Sequence, residues 1–149
     1  MRKYAAVAAL LLWAGLGGFS QQKQEVPPEP EFKIPPEEAR RQNPVKPTPG
    51  SIAMGRHLYS SQCAMCHGAR GDGKGDLALE MKFTLRDYRD PAALKGMTDG
   101  ELFYILTKGK GKMLGQEDRL TLAQKWNLIN FIRSLARKEP ATKPATKKN

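Results

Sequence analysis

The sequence is short of the residues that usually bind metal ions or cross-link small proteins. Its 149 residues include two cysteines and two histidines, so the chain can form at most one disulfide. A structural zinc site takes four ligands, which would use all of these residues. It would also need adjacent Cys66 and His67 to bind one tetrahedral ion, which is an awkward geometry. A multi-disulfide framework is therefore excluded, and a zinc centre is disfavoured.

Sustained strand patterns are also missing. No segment shows the alternation of apolar and polar residues that predicts a β-strand. A thioredoxin-like redox protein, which shares a Cys-x-x-Cys pair, needs strands in a βαβ setting. Helical periodicity instead predicts three helices, over about residues 51–62, 99–108 and 122–137. Their predicted N-caps are Ser51, Thr98 and Thr121.

The one long apolar run, Ala5–Gly18, is too short for a membrane span, which needs about 20 residues. It follows a basic start and ends with small residues at Gly18 and Ser20, as in a secretory signal peptide. No cysteine follows the run, which excludes lipoprotein processing. We predict a signal peptide over 1–20 and export, in a bacterium to the periplasm, with an uncleaved membrane anchor as the alternative.

Composition divides the remaining chain into three segments. Residues 21–49 hold eight prolines and few large apolar residues, which predicts a linker. This linker is either a disordered spacer or a wrap over the domain. Residues 138–149 form a basic tail that we expect to be disordered. The domain, residues 50–137, is small for a self-sufficient core, so we expect a bound cofactor to stabilise it.

Five consecutive residues carry the chemistry that the rest of the chain lacks: Cys63, Ala64, Met65, Cys66 and His67. C-x-x-C-H is the signature for covalent haem attachment. Two thiols three residues apart can bond the two vinyl groups of one porphyrin, and the next residue then lies under the iron as the proximal ligand. The motif therefore predicts haem c, held by Cys63 and Cys66 and ligated by His67.

Methionines are the main candidates for the opposite face of the iron, because a thioether is a soft, neutral donor. Met113 has the best setting, in the glycine-rich connection between the second and third predicted helices. Met81, in the long loop after the CAMCH motif, is the main rival. His57 lies on the first predicted helix, where we expect ordinary packing or solvation.

The domain resembles the monohaem class I cytochromes c of the bacterial periplasm over about residues 50–137. The stretches that carry the resemblance are GRHLYSSQCAMCHGARGDGKG, TDGELFYIL, GKGKM and WNLINFIRSL. The resemblance implies an all-α fold with three main helices and long loops wrapped around one haem. It implies that Gly55 and Tyr59 pack across Phe131 and that Met113 is the distal ligand. Leu114 stands where this family usually has proline.

An iron with ligands on both faces has no position open for a substrate, so the resemblance implies an electron-transfer protein and not an enzyme. Two alternatives stay open. A displaceable Met113 would give a gas-binding sensor or a peroxide-active haem protein. The chain could also be the haem subunit of a larger oxidoreductase, which would use the same electron-transfer chemistry.

Positive charge indicates the kind of partner. Residues 50–137 contain 14 basic and nine acidic residues, and Lys108, Lys110 and Lys112 flank the glycine-rich connection that carries the proposed ligand Met113. Such a rim would steer a redox protein with an acidic docking surface. Export separates the chain from nucleic acid, which we do not expect as a partner. Membrane contact is expected only through the basic tail or an uncleaved signal.

Overall fold

The computed structural model describes residues 31–136. The predictions for the signal peptide, the first part of the linker and the basic tail lie outside these residues. The described elements are the helices α1 (Pro36–Ala39), α2 (Pro49–Gln62), α3 (Ala64–His67), α4 (Asp76–Glu80), α5 (Asp99–Lys108) and α6 (Leu122–Leu135), and the strands β1 (Gly109–Lys110) and β2 (Met113–Leu114). The three predicted helices are confirmed as α2, α5 and α6, and the fold is predominantly helical.

The helix starts follow from local hydrogen bonding. Thr98 and Thr121 both form complete capping boxes at α5 and α6, as predicted. The predicted cap at Ser51 is wrong, because the cap of α2 is Thr48, whose hydroxyl accepts from the Ser51 amide at 3.2 Å. The sequence allows this because Pro49 is well suited to the first position of a helix.

The core forms where α2 packs on α6. Gly55 is buried at this crossing, and a Cβ there would lie 2.7 Å from the Cβ of Phe131. The Tyr59 and Phe131 rings meet edge-on with centroids 5.1 Å apart. The packing that the resemblance implied is therefore confirmed. We call the surrounding group the main cluster; its buried members are Leu58, Tyr59, Leu106, Leu120, Leu128 and Phe131.

Residues 31–48, which we call the arm, lie against α5 and α6. The Asn43 side-chain amide donates to Asn130 Oδ1 at 2.9 Å, and Asn130 Nδ2 donates to the carbonyl oxygen of Val45 at 2.9 Å. The Val45 side chain packs on a second cluster of Phe103, Trp126 and Ile129. Of the two alternatives for the linker, the wrap over the domain is therefore the arrangement observed for residues 31–48.

The strands β1 and β2 form an antiparallel hairpin directly after α5. Sequence periodicity did not predict it, because each strand is only two residues long. We call residues 109–117, which contain this hairpin and Met113, the strap. Among residues 31–136, no helix combines the length and the apolar character needed to cross a membrane.

Candidate cofactor site

A break between two helices presents the CAMCH motif. α2 ends at Gln62, Cys63 leaves the helical conformation with φ −125°, and α3 starts at Ala64. The His67 amide donates to the Cys63 carbonyl oxygen at 2.9 Å, which keeps the motif in a single helical turn. Cys63 and Cys66 are both free thiols and both are partly buried. The two sulfurs and the imidazole therefore belong to one compact turn.

Burial sets the chemistry of Cys63. Desolvation, with a smaller contribution from Cys66, raises the pKa of Cys63 to about 11. Cys63 and Ala64 both pack against the main cluster. This surrounding disfavours a thiolate and suits a neutral sulfur. A thioether is neutral, so this apolar position suits a cysteine whose sulfur becomes bonded to a second carbon atom.

The His67 ring is prepared to bind a metal. Burial lowers the pKa of His67, so the imidazole stays neutral and keeps a nitrogen lone pair at neutral pH. The ring stacks on Tyr88, with centroids 5.3 Å apart and planes inclined by 20°. Its Nδ1 atom is buried and has no hydrogen-bond partner among the described residues. Sequence reasoning missed Tyr88, since nothing around it in the long loop marks it as a neighbour of His67.

Backbone hydrogen bonds hold the residues that follow the motif. The His67 carbonyl oxygen accepts from the Gly73 amide at 2.8 Å and from the Tyr59 hydroxyl at 3.3 Å. The Gly75 amide donates to the Cys66 carbonyl oxygen at 3.1 Å. A Cβ on Gly75 would lie 2.6 Å from the Ala64 carbonyl oxygen, so glycine permits this close approach. We call residues 63–75 the attachment loop.

The candidate distal ligands lie in different settings. Met113 is partly buried on β2 and packs against the main cluster, as does Cys63. Met81 follows α4 with 53% of its surface exposed. His57 is exposed on α2. The structure therefore brings Met113 and Cys63 to one cluster, which includes neither Met81 nor His57.

Three lysines, Lys108, Lys110 and Lys112, precede Met113 along the chain, and all three are exposed. Lys108 is the last residue of α5, directly before the strap, and its ammonium binds the carboxylate of Glu117, the last residue of the strap. This ion pair therefore connects the two ends of the strap. The Lys112 ammonium lies 5.0 Å from the centre of the Phe83 ring, in the long loop after α4. The tip of the strap therefore contacts the loop that follows α4.

These residues fit a covalent haem. Two free thiols three residues apart are available for thioether bonds, and His67 follows them with a neutral ring and a buried nitrogen that lacks a protein partner. The thioether side chain of Met113, in the strap, packs on the main cluster, as Cys63 does. The donor set of imidazole and thioether is the one that haem iron accepts in electron carriers.

A comparison with protein families gives an independent result. Residues 50–132 match the family described as cytochrome c oxidase, cbb3-type, subunit III. A comparison with curated proteins finds no match. The family match starts one residue after α2 begins and includes the whole attachment loop and strap.

Solved structures are similar to part of the chain. A chain of the Kuenenia stuttgartiensis reducing HAO-like protein complex has 25% identity and a TM-score of 0.55, over 63% of this chain and 47% of that chain. The chain therefore spans about half of that protein's length. The KustC0563 c-type cytochrome has 22% identity and a TM-score of 0.49, over 54% of this chain and 95% of that one. Cytochrome CL of Methylophaga aminisulfidivorans has 25% identity and a TM-score of 0.45, over 57% and 55%.

Proposed function

The chain belongs to the family described as cytochrome c oxidase, cbb3-type, subunit III, and we propose from this membership that it is a periplasmic one-electron carrier. Its cofactor is one covalently bound haem c, and its role is haem electron transfer. Bound haem supplies the one-electron chemistry, because its iron alternates between ferric and ferrous states. The observation that carries the proposal is the single turn that places two free thiols directly before the partly buried, neutral His67.

Each site residue has a distinct role in this proposal. Cys63 and Cys66 form the two thioether bonds, and His67 is the proximal iron ligand. Met113 is the distal ligand, supported by its packing on the main cluster beside Cys63. Tyr88 stacks on His67 and keeps water from that ring. With both axial positions occupied, no site stays open for a substrate, so we propose that the protein is not an enzyme.

The proposed partner is a redox protein with an acidic docking surface. Lys108, Lys110 and Lys112 are exposed around Met113 and present positive charge there. Leu114, next to Met113 on β2, is a large apolar side chain that is 77% exposed. An apolar centre with a charged rim suits a transient complex, because the charge steers encounter and the apolar contact is small. We therefore expect association to weaken as ionic strength rises.

Export is part of the proposal. The predicted signal peptide, residues 1–20, would deliver the chain to the periplasm. The expected mature protein begins at Gln21. N-terminal sequencing of the purified protein tests this, and an intact Met1 start would favour the membrane-anchor alternative.

A second function has one specific observation in its favour. The matched Kuenenia stuttgartiensis chain is part of an HAO-like protein complex, and the family description names a subunit of an oxidase. The chain would then transfer electrons as a haem subunit within a larger oxidoreductase. Co-purification from the native organism separates the two proposals, because a free carrier leaves no stable complex.

The first experiment is the visible spectrum of the reduced protein with and without carbon monoxide, after expression in a host that matures c-type haem. The proposal predicts c-type bands that carbon monoxide leaves unchanged, since Met113 occupies the distal position. Absence of c-type bands would contradict the attachment at Cys63 and Cys66. Ready binding of carbon monoxide would instead favour the gas-sensor or peroxide-active alternative.

A further inference from the structure

A buried charge on α6 contacts the end of the strap, and the proposed function does not use it. Lys125, in the first turn of α6, is only 2% exposed. Lysine is almost never buried to this degree unless its ammonium has a partner, because desolvating the charge is costly. Its hydrogen-bond partner here is a backbone atom: Lys125 Nζ donates to the Glu117 carbonyl oxygen at 3.1 Å, and it also lies 5.8 Å from the centre of the Phe103 ring.

This hydrogen bond lies where the strap leaves the distal side of the molecule. Met113 precedes Glu117 by four residues, with Leu114, Gly115 and Gln116 between them. The Gln116 amide donates to the Leu106 carbonyl oxygen at 2.9 Å, which joins this part of the strap to α5. Lys125 joins the next residue to α6. The strap is therefore fixed to both helices within four residues of the methionine.

The methionine needs such an anchor. Leu114 follows it directly and is 77% exposed, so apart from its pairing with Gly109 in the short hairpin, neither proline geometry nor side-chain packing restricts the backbone at that position. The Lys108–Glu117 ion pair is exposed, and an exposed pair contributes little to stability. A hydrogen bond from a buried ammonium is stronger than an exposed one and persists in salt.

We propose that Lys125 is a positioning residue for the Met113 ligand: its buried ammonium holds the Glu117 carbonyl and so keeps the strap over the distal face. The proposal rests on the proposed axial role of Met113. It assigns the effect to the backbone oxygen of Glu117 and not to the Glu117 carboxylate, which pairs with Lys108. Lys125 does not touch the cofactor in this proposal; it acts through the strap.

The test measures carbon monoxide binding to the full-length ferrous holoprotein by rapid mixing. Lys125→Met keeps the alkyl stem and removes the ammonium. Loss of a hydrogen bond to a charged group should raise the rate of carbon monoxide binding by at least about tenfold, because Met113 then leaves the iron more often. Glu117→Gln keeps the carbonyl oxygen and should leave the rate unchanged within about twofold.

Arg133→Gln is the matched control for general destabilisation. Arg133 is another α6 cation that donates to backbone oxygens, at Leu94 (3.4 Å) and Met97 (2.6 Å), and it also pairs with the Asp99 carboxylate at 2.9 Å; none of these residues belongs to the strap. The variants are compared at equal intervals below their unfolding temperatures. Faster carbon monoxide binding in Lys125→Met alone supports the proposal, whereas an equal increase in Arg133→Gln overturns it.

The remaining outcomes are also decisive. If carbon monoxide binds slowly to both the unaltered protein and Lys125→Met, this inference is overturned, but the axial role of Met113 is not contradicted. Rapid binding in the unaltered protein contradicts that role and removes the ligand that Lys125 would position. If Lys125→Met yields no holoprotein, hydrogen exchange of the unaltered holoprotein replaces it. Exchange at the Gln116 amide, which donates to Leu106, much faster than in α6 would then overturn the inference.

Discussion

The attachment loop and the strap face the same proposed cofactor, but they are held in different ways. The attachment loop is fixed mainly by backbone groups, with Gly73 and Gly75 donating to the carbonyl oxygens of His67 and Cys66. The strap combines a two-stranded hairpin with side-chain cations at its end, from Lys108 and Lys125. The attachment loop therefore depends mainly on backbone hydrogen bonds, whereas substitution of a single side chain can alter how the strap is held.

The largest effect should come from the attachment loop itself. Replacing Cys63 or Cys66 with serine removes one of the two thioether bonds, so we expect holoprotein with double attachment to disappear. Mass spectrometry and the spectrum of the pyridine complex of the haem measure the number of bonds formed. Two-bond haem in either variant would refute the assignment of these cysteines.

The next largest effect should come from the strap. Met113→Ala removes the proposed distal ligand, opens the iron to carbon monoxide and lowers the reduction potential, within the roughly 0.8 V range that axial ligands control. Redox titration and the carbon monoxide difference spectrum measure both changes. Met81→Ala is the control and should change neither; the reverse result would transfer the ligand role to Met81.

A small residue tests the rigidity of the attachment loop. Gly75→Ala places a Cβ against the Ala64 and Met65 carbonyls, so we expect it to lower the free energy of unfolding by about 1–3 kcal/mol. Gly50→Ala is the control, because its Cβ would meet only Thr48 Oγ1 at 3.9 Å. Thermal unfolding measures both variants. If Gly75→Ala unfolded at the same temperature as Gly50→Ala, the attachment loop would have room for the added methyl group.

A proline after Met113 should make the backbone of the strap more rigid and so reduce its difference from the attachment loop. Leu114→Pro restricts the backbone after Met113 at an exposed position, and such a restriction is worth about 0.4–1 kcal/mol. We expect carbon monoxide binding to slow by about two- to fivefold relative to Leu114→Ala, which shortens the side chain without fixing the backbone. Faster binding in the proline variant would show that position 114 does not accept proline geometry.

The smallest effect concerns the exposed end of the strap. The hydrogen bond from Lys108 lowers the pKa of Glu117 below its ordinary value of 4.5. Because the folded pKa is depressed, the pair stabilises the fold above pH 4.5, and this contribution is lost as pH falls through the folded pKa. Unfolding temperatures of the unaltered protein and Glu117→Gln should therefore differ slightly at pH 6 and converge once the pH has fallen below the folded pKa of Glu117.

Sequence reasoning predicted the parts of the fold that depend on local patterns. Helical periodicity and capping residues gave α5 from Asp99 to Lys108, as observed. The resemblance implied the contact of Gly55 and Tyr59 with Phe131, which the structure confirms. The helix α3 and the short hairpin have too few residues to produce a periodic signal.

Long-range contacts of irregular segments were beyond the reach of local patterns. Asn43 and Val45 lie in a proline-rich stretch, yet they hydrogen-bond to Asn130, more than 80 residues away along the chain. Tyr88 and Lys125 show no distinguishing pattern either, because their significance depends on which groups the fold places beside them. The roles of the CAMCH residues and Met113 stay predictions that the experiments above address.

The arm also affects how the folded protein behaves among its neighbours. Val45 packs on the second cluster, and the Arg41 guanidinium lies 4.5 Å from the centre of the Phe103 ring and 5.8 Å from the Trp126 ring. A protease that cut the arm and released it would leave residues 50–132 in place but uncover these aromatic rings. We therefore expect the cut protein to self-associate more readily than the intact protein at high concentration, because exposed apolar patches favour association.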